Sequence, residues 1–281
     1  MLKGEKAIIC GSGHSLTDPQ VLKEIKEKQN AGWLIVACKH AVRYLTEQDI
    51  KVDYSVTMDP GAHIARPDRK IYRSPGTTHI VASSSDPLLF DYLLSPMKYE
   101  DWLRSKTEAE QKRILLFDFD KWKSGELTFP EVPNHPEDHP AKIKLFHSAC
   151  GVKDEVNLYK KLFKNADTMG GGYNVVNRAY SAMKYMGVSE FIFAGVDCGW
   201  RLDTTFYTHG DNPQTGMDMS DQGQIDGKEW RTRPDMMASA VSLVQEQRKP
   251  GAAITFLGDC MPRSLMTKED AFLQKMLSLI Q

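Results

Sequence analysis

The chain has 281 residues, of which 41% are hydrophobic and 26% are charged. This composition excludes a disordered, collagen-like or coiled-coil protein, and a chain of this length buries about three quarters of its unfolded surface. Its 36 Lys and Arg balance 37 Asp and Glu, and the resulting net charge of -1 argues against general affinity for nucleic acid, while a local basic pocket remains compatible with it.

The cysteines and the N-terminus predict a cytoplasmic protein. The five cysteines are far apart, form an odd number and show no C-x-x-C spacing, which favours a reducing compartment. The N-terminus enters an apolar run after six residues without the long hydrophobic region of a secretory signal. No segment approaches the roughly 18 apolar residues of a transmembrane span.

Short apolar runs alternate with longer helical patterns along the chain. Strands are expected at residues 7–10, 33–38, 54–58, 79–82, 114–117, 191–194 and 254–257. Helices are expected at residues 19–29, 41–48, 88–94, 98–113, 153–163, 173–186, 234–247 and 268–280. The alternation predicts an α/β fold, with a mainly parallel sheet and helices on both faces. Ligands bind such sheets beyond the carboxyl ends of the strands.

Two segments interrupt this pattern within the single domain expected over residues 1–281. Residues 121–143 contain four prolines and scattered charges, which predicts an irregular insertion. Residues 199–233 are rich in Gly, Asp, Thr and Asn without clear periodicity, which predicts a lid-like functional loop.

A first glycine motif, IICGSGHSL, follows the first predicted strand. Gly11 and Gly13 permit close approach of the backbone to a phosphate, and Ser12 and Ser15 add hydroxyl donors. The motif lacks the third glycine of a dinucleotide fingerprint and the G-K-[ST] of a P-loop. The motif therefore predicts a nucleotide contact. The alternative is a tight turn that needs glycine only for its geometry.

A second glycine-rich segment, MGGGYNVVN, leads into the helix predicted at residues 173–186. Its consecutive glycines predict a close approach to a ligand or, alternatively, to a neighbouring strand, and the following asparagine offers an amide to a base or sugar. The nucleotide-binding candidates in this segment are Gly170, Gly171, Gly172 and Asn174.

Two aspartates, Asp59 and Asp197, each follow an apolar strand. Because the carboxyl ends of parallel strands share one edge, the two carboxylates are expected near each other, where they would suit Mg²⁺ bound to a nucleotide. Asp59 is also a candidate nucleotide contact, and Asp197 a candidate catalytic residue. The alternative for Asp59 is a cap on the turn made by Pro60 and Gly61.

Further candidates lie in the polar part of the chain. His209 is a candidate general base or phosphate contact, with an ordinary solvated loop histidine as the alternative. Arg231, Thr232 and Arg233 precede a helix and would suit a phosphate or carboxylate, although surface arginines beside a helix are common.

These motifs resemble those of a known family. IICGSGHSL is similar to a G-x-G-P-S-L start, DYSVTMDP to a strand ending in D-P, and the segment from GGGYNVVN to FAGVDCGW to a glycine-helix-strand block ending in G-x-D. Together they resemble the Rossmann-like domain of bacterial flagellar motility accessory factors and the archaeal 6-hydroxymethylpterin diphosphokinase. They are more distantly similar to bacterial CMP-sialic-acid sialyltransferases.

The resemblance implies a nucleotide site formed by residues 11–15, Asp59, residues 170–174 and Asp197. His209, in a T-H-G sequence, falls where the family often carries T-H-A or S-H-A, and Arg231 and Thr232 fall near a further polar block. The sequence departs from the pattern at His14, which replaces a proline, and at Lys39 and His40, which stand where the sialyltransferases carry an asparagine. These departures argue against a cytidine-specific pocket.

Three functions follow as hypotheses. The favoured one is a transferase that moves a sugar, for example a nonulosonate, from a nucleotide-sugar donor such as a CMP-sugar to a hydroxyl of a small molecule, glycan or protein, with His209 taking the acceptor proton. The second is a diphosphokinase that uses ATP and Mg²⁺ on a small hydroxymethyl substrate. The third is a nucleotide-binding module without catalysis.

Overall fold

The computed structural model describes residues 2–66, 73, 76–129, 141–148, 161, 168–169, 174–201, 221–225 and 227–278. The strands in chain order are β1 (Lys6–Cys10), β2 (Leu34–Cys38), β3 (Tyr54–Thr57), β4 (Thr78–Ala82), β5 (Lys142–Ser148), β6 (Thr168–Met169), β7 (Glu190–Ala194), β8 (Trp200–Arg201), β9 (Asp221–Ile225), β10 (Lys228–Thr232) and β11 (Ala253–Phe256). The helices are α1 (Pro19–Asn30), α2 (Ala41–Glu47), α3 (Pro87–Leu94), α4 (Tyr99–Arg104), α5 (Glu108–Leu115), α6 (Phe119–Lys123), α7 (Val175–Met186), α8 (Pro234–Gln247), α9 (Met261–Leu265) and α10 (Asp270–Ser278).

The main sheet has the strand order β11-β7-β1-β2-β3-β4-β5-β6. Its described strand pairs are all parallel. The chain starts in the middle at β1, runs outward to β6, and then returns to place β7 on the other side of β1. The strand order therefore reverses between β1 and β7, which is where α/β folds bind ligands. The α/β, Rossmann-like class expected from the sequence is confirmed.

Helices cover both faces of the sheet. On one face, Ile8 and Ile35 pack with Val21 and Ile25 of α1 and with Leu45 of α2. Further along the same face, a second apolar cluster holds Val81 together with α3, α4 and α5. The opposite face packs against α7 and α8. Burial on both sides explains why the central strands are continuous apolar runs.

Helix boundaries follow local capping chemistry. The Asp18 carboxylate accepts a hydrogen bond from the N–H of Gln20 and begins α1 before Pro19, as the sequence predicts. In α5, Thr107 and Glu110 form a reciprocal capping box. The helix that this box begins continues through Leu115, so the strand predicted at residues 114–117 is wrong. Ile114 and Leu115 are both buried, and a short apolar run in the sequence is typical of the end of a buried helix as well as of a buried strand.

The second sheet lies in the segment predicted as a lid-like loop. Here β10 pairs antiparallel with both β8 and β9. Residues 202–220 and 226 of that segment lie outside the described residues, as do residues 130–140 of the predicted insertion. The last two residues of that insertion, 142 and 143, begin β5. In the part of the chain that the structure describes, no helix combines the length and apolar character needed to cross a membrane.

Candidate functional site

A cleft of about 620 Å³ opens at the carboxyl edge of the main sheet. The segments that follow β1, β2, β3 and β7 form its walls, together with the starts of α7 and α8. It therefore includes the point where the strand order reverses. Its lining comprises residues 11–13, 38–40, 58–61, 174–176 and 195–199 with His63, Arg233, Asp235 and Met236. Ligand pockets typically span about 300–1,000 Å³, so the cleft has the size for a nucleotide.

The first glycine loop packs closely against the loop after β7. The N–H groups of Gly11 and Gly13 each donate, at 2.8 Å, to a carbonyl of residues 194–195. A Cβ atom on Gly11 would lie 2.3 Å from the carbonyl oxygen of Gly195, and one on Gly13 would lie 2.5 Å from Cγ of Asp197. These contacts alone require glycine at both positions. Both residues line the cleft, and their predicted nucleotide contact stays a prediction.

Asp197 ties the same two loops together from within the cleft wall. Its Oδ2 accepts a hydrogen bond from the Ser15 N–H at 2.9 Å, and its Oδ1 accepts one from the Ser15 hydroxyl. Burial raises the pKa of Asp197 to about 6, against the opposing effect of the hydrogen bonds from Ser15. Asp197 is thus an anchored carboxylate, and a role in binding Mg²⁺ would require the metal to compete with Ser15.

Asp59 forms an ion pair with Lys39. The Lys39 Nζ lies 2.8 Å from Oδ1 and 2.7 Å from Oδ2 of Asp59. The two side chains are 22% and 24% exposed, and both residues line the cleft. The structure thus brings Asp59 and Asp197 to the same cleft, as the strand pattern predicts. Each carboxylate has a protein partner, and the described residues contain no group of three potential metal-binding side chains.

Asn174 begins α7 at the cleft. Its Oδ1 accepts hydrogen bonds from the N–H groups of Val176 and Asn177 at 2.9 and 3.2 Å. This capping explains why the sequence places an asparagine there. The Asn174 side chain also makes a hydrogen bond to the Cys198 thiol, so a ligand would share its NH₂ group with that sulfur. The glycines that precede it, Gly170, Gly171 and Gly172, lie outside the described residues, as does His209. Their predicted roles stay predictions.

The three polar residues before α8 separate into different environments. Thr232 is buried and donates its hydroxyl hydrogen to the carbonyl oxygen of Cys198 at 2.7 Å. Arg231 lies in β10, opposite Trp200 of β8. Arg233 lines the cleft and contacts both carboxylate oxygens of Asp235, at 3.0 and 2.6 Å. Of these three candidates, Arg233 is the one whose position suits an anionic ligand in the cleft.

Three basic side chains of the cleft, Lys39, His40 and His63, were not among the predicted site residues, although Lys39 and His40 were noted as departures from the family pattern. They follow β2 and β3, and that position was the available signal. Lys39 also has φ of 50°, in the left-handed region that residues other than glycine seldom adopt. Such strained residues concentrate at functional sites.

The cleft also has an apolar component. Met58 after β3, Val175 in α7 and Met236 in α8 are half-buried and line it. Apolar side chains beside a few polar groups are typical of small-molecule sites, where a flat base or sugar ring packs on the apolar part.

Comparisons with known proteins agree with the fold. The whole chain is similar to 38% of the chain of the MAf glycosyltransferase from Magnetospirillum magneticum AMB-1, with a TM-score of 0.53 and 16% sequence identity. A second structure, a mammalian sialyltransferase in complex with Gal-beta-1-3GalNAc-ortho-nitrophenol, matches 74% of this chain and 58% of its own, with a TM-score of 0.27 and 12% identity.

At these identities the first similarity shows a shared fold, and the second carries no argument. The chain covers well under half of the MAf protein. No protein-family model matches the sequence, and no curated protein matches it.

Proposed function

We propose that this chain is a nucleotide-dependent transferase that moves a sugar from a nucleotide-sugar donor to a hydroxyl acceptor. The observation that carries the proposal is the cleft at the reversal of the strand order, into which the segment 11–13, Asn174 and Arg233 all project. Crevices at this position bind nucleotides in many α/β proteins. The fold shared with a glycosyltransferase adds support by analogy of fold alone.

In the proposed reaction, the acceptor hydroxyl oxygen forms a bond to the anomeric carbon of the donor sugar. The bond from that carbon to the phosphate oxygen breaks, and the nucleotide leaves with the electron pair. His209 takes the acceptor proton as general base. Ser12 and the Asn174 amide contact the nucleotide, while Asp197 holds the first loop in place through Ser15. A small-molecule, glycan or protein acceptor, and a nonulosonate as the sugar, are parts of the proposal that rest on the sequence.

The ATP- and Mg²⁺-dependent diphosphokinase is less well supported by the geometry. It needs carboxylates that hold the metal, and here Asp59 contacts Lys39 while Asp197 accepts hydrogen bonds from Ser15. A nucleotide-sugar can bind and react without a metal when cations and hydrogen-bond donors stabilise the leaving phosphate. The geometry therefore favours glycosyl transfer.

Thermal unfolding in the presence of nucleotides tests the binding step. CMP, UDP, GDP and ATP at millimolar concentration, each with and without Mg²⁺, would be compared with the matching nucleosides. A ligand at about 100 times its Kd adds about 2.7 kcal/mol of stability. We expect a nucleotide, but not its nucleoside, to raise the Tm without Mg²⁺. No shift with any nucleotide would contradict the proposal.

Turnover distinguishes the three functions. Release of CMP from a CMP-activated nonulosonate, with water or an added glycan as acceptor, would support the transferase. Release of AMP from ATP only with Mg²⁺ would support the diphosphokinase, and nucleotide binding without turnover would support the binding module. His209→Ala should reduce transfer by about 10²- to 10⁴-fold. His135→Ala, in the proline-rich segment, is the matched control and should leave transfer unchanged.

A further inference from the structure

The cations of the cleft are already engaged by carboxylates. Among the described lining residues, the permanent cations are Lys39 and Arg233, and the carboxylates are Asp59, Asp197 and Asp235. Lys39 pairs with Asp59, and Arg233 pairs with Asp235. An incoming phosphate can therefore contact Lys39 or Arg233 only by sharing the cation with Asp59 or Asp235 or by displacing that carboxylate.

The two pairs differ in how readily they exchange. Arg233 and Asp235 are two residues apart and make two nitrogen-to-oxygen contacts, the bidentate geometry that makes such pairs strong. Lys39 and Asp59 come from the ends of different strands, and the lysine offers a single ammonium group on a flexible stem. Both pairs are open to solvent and ions, with 22% and 24% exposure for Lys39 and Asp59 and 28% and 42% for Arg233 and Asp235, so the difference between them lies in the geometry of the contact and not in exposure. Lys39 is the cation that changes partner more easily.

The backbone of Lys39 indicates that its position is imposed by the fold. Its φ of 50° costs free energy for a residue with a Cβ, yet the strain persists where β2 turns into the cleft. Its N–H donates to the Val56 carbonyl oxygen at 3.4 Å, and its carbonyl oxygen accepts from the Val42 N–H at 3.2 Å. These contacts fix the backbone while the ammonium group keeps its freedom to move between acceptors.

We propose that Lys39 is the phosphate-binding cation of the cleft and that Asp59 is its internal counter-ion, which the phosphate of the ligand displaces. The inference rests on the proposed nucleotide function and adds to it a competition within the site. Asp59 would then weaken ligand binding. This is the opposite of what is expected if Asp59 binds a ribose hydroxyl or a metal ion, because in those cases its carboxylate strengthens binding.

Isothermal titration with inorganic pyrophosphate and with CMP, at low ionic strength and without metal, tests the inference. We expect Asp59→Asn to tighten binding by about 3- to 10-fold, since it removes the competing carboxylate. We expect Lys39→Met to weaken binding by at least about 10-fold, since it removes the cation. In the double variant Lys39→Met/Asp59→Asn, the Asp59→Asn substitution should not change the Kd further, because no ammonium group is left for the carboxylate to compete for.

Glu190→Gln is the matched control. Glu190 pairs with Lys6 at 2.6 Å across β7 and β1, at the amino edge of the sheet and away from the cleft. The Glu190→Gln substitution removes one negative charge, as Asp59→Asn does, so it reports the long-range effect of that charge alone. We expect its effect on either Kd to be below about 2-fold.

The outcomes separate this inference from the proposed function. If the Asp59→Asn variant binds these ligands more weakly than the wild type, or if its Kd changes no more than that of Glu190→Gln, the counter-ion role is overturned. Nucleotide binding by the cleft would still stand. If the Asp59→Asn variant binds pyrophosphate more tightly than the wild type does, but neither protein binds CMP or another nucleotide, the anion site is supported and the proposed function is contradicted. No binding of pyrophosphate or CMP to the wild type or to Asp59→Asn would overturn both.

Discussion

The Asp197 carboxylate accepts hydrogen bonds from both the backbone N–H and the hydroxyl of Ser15, a residue 182 positions earlier in the chain. Ser15 lies just after the glycine loop that follows β1, and Asp197 lies in the loop that follows β7. The pair therefore joins the two strands on either side of the point where the strand order reverses. Both residues are at most 8% exposed, so neither has ready access to water as a substitute partner.

Asp197→Ala should destabilise the protein strongly. It would leave the Ser15 N–H and hydroxyl buried without an acceptor, which costs about 2–4 kcal/mol in free energy of unfolding. Ser15→Ala removes only the hydroxyl and should cost about 1 kcal/mol. Urea denaturation measures both. Equal effects of the two substitutions would contradict the importance of the carboxylate as a double acceptor.

The raised pKa of Asp197 predicts a pH dependence with a definite sign. The folded pKa is about 6, above the ordinary value of 3.8, so the folded state binds this proton more tightly than the unfolded state. Between about pH 4 and pH 6 the contribution of Asp197 to stability therefore falls as pH rises, by up to about 3 kcal/mol.

Other carboxylates titrate in the same range, so the pH effect has to be measured as a difference. The free energy of unfolding of the wild type minus that of Asp197→Asn should fall between pH 4 and pH 6.5, because the variant lacks this titrating group. A difference that is constant with pH, or that rises, would show that the pKa of Asp197 is not raised.

Gly11→Ala should destabilise the protein without involving any ligand. The added Cβ would lie 2.3 Å from the Gly195 carbonyl oxygen. Relieving this clash would require one of the two backbone segments to move, which costs more than moving a flexible side chain. We expect a loss of about 2–3 kcal/mol in urea denaturation. Ser12→Ala, in the same loop and half-buried, is the control and should change stability by less than about 0.5 kcal/mol. A stable Gly11→Ala protein would mean that the loop contact is looser than described.

Much of the fold could be predicted because local signals agree with the packing. The central strands are short apolar runs buried on both faces, and helices such as α1 begin at a recognisable Asp-Pro cap. The strand β5 was missed because its sequence, KIKLFHS, alternates charged and apolar residues and lies beside a proline-rich segment. The paired strands β9 and β10 were missed since their sequences are polar and their stability comes from pairing with each other.

The site was only partly predictable, for a different reason. The sequence indicated that Asp59, Asp197 and the glycine loop share one edge, because strand ends in a parallel sheet converge there. It could not show that Asp197 contacts Ser15 or that Asp59 contacts Lys39, since these partners are far apart in the chain and depend on strand order. Nor could it show that Gly11 and Gly13 meet another loop of the protein, where a ligand was the expected neighbour.

The cleft-lining thiols should be unreactive in the native protein. Burial raises the pKa of Cys38 to about 12 and that of Cys198 to about 12, so the nucleophilic thiolate is scarce near neutral pH. At pH 8 we expect iodoacetamide to modify each about a thousandfold more slowly than an exposed cysteine with a pKa of about 8.5. Mass spectrometry of the native protein, with the urea-unfolded protein as control, checks this. Rapid native labelling of either residue would make a cysteine nucleophile a candidate for the reaction.

A buried histidine gives a second pH prediction, with the opposite direction. His79 in β4 is 1% exposed, and neither ring nitrogen has a hydrogen-bond partner among the residues that the structure describes. Its side chain lies beside that of Ser55, its register partner in β3, whose hydroxyl is also without one. Burial, and then the charge of Arg73, lower the pKa of His79 from 6.5 to about 4. The unfolded state therefore binds more protons than the folded state between those values.

Stability should consequently be lost as pH falls from about 6.5 to 4, with His79 accounting for up to about 3 kcal/mol. His79→Leu removes the titrating group together with two unpartnered nitrogens, so at pH 7 the variant should be at least as stable as the wild type. Its advantage in free energy of unfolding should then grow as the pH is lowered towards 4. NMR titration of the His79 ring should show a neutral imidazole down to about pH 4. A ring that protonates near pH 6.5 in the folded protein, or a variant that loses stability equally at all pH values, would contradict the buried neutral state.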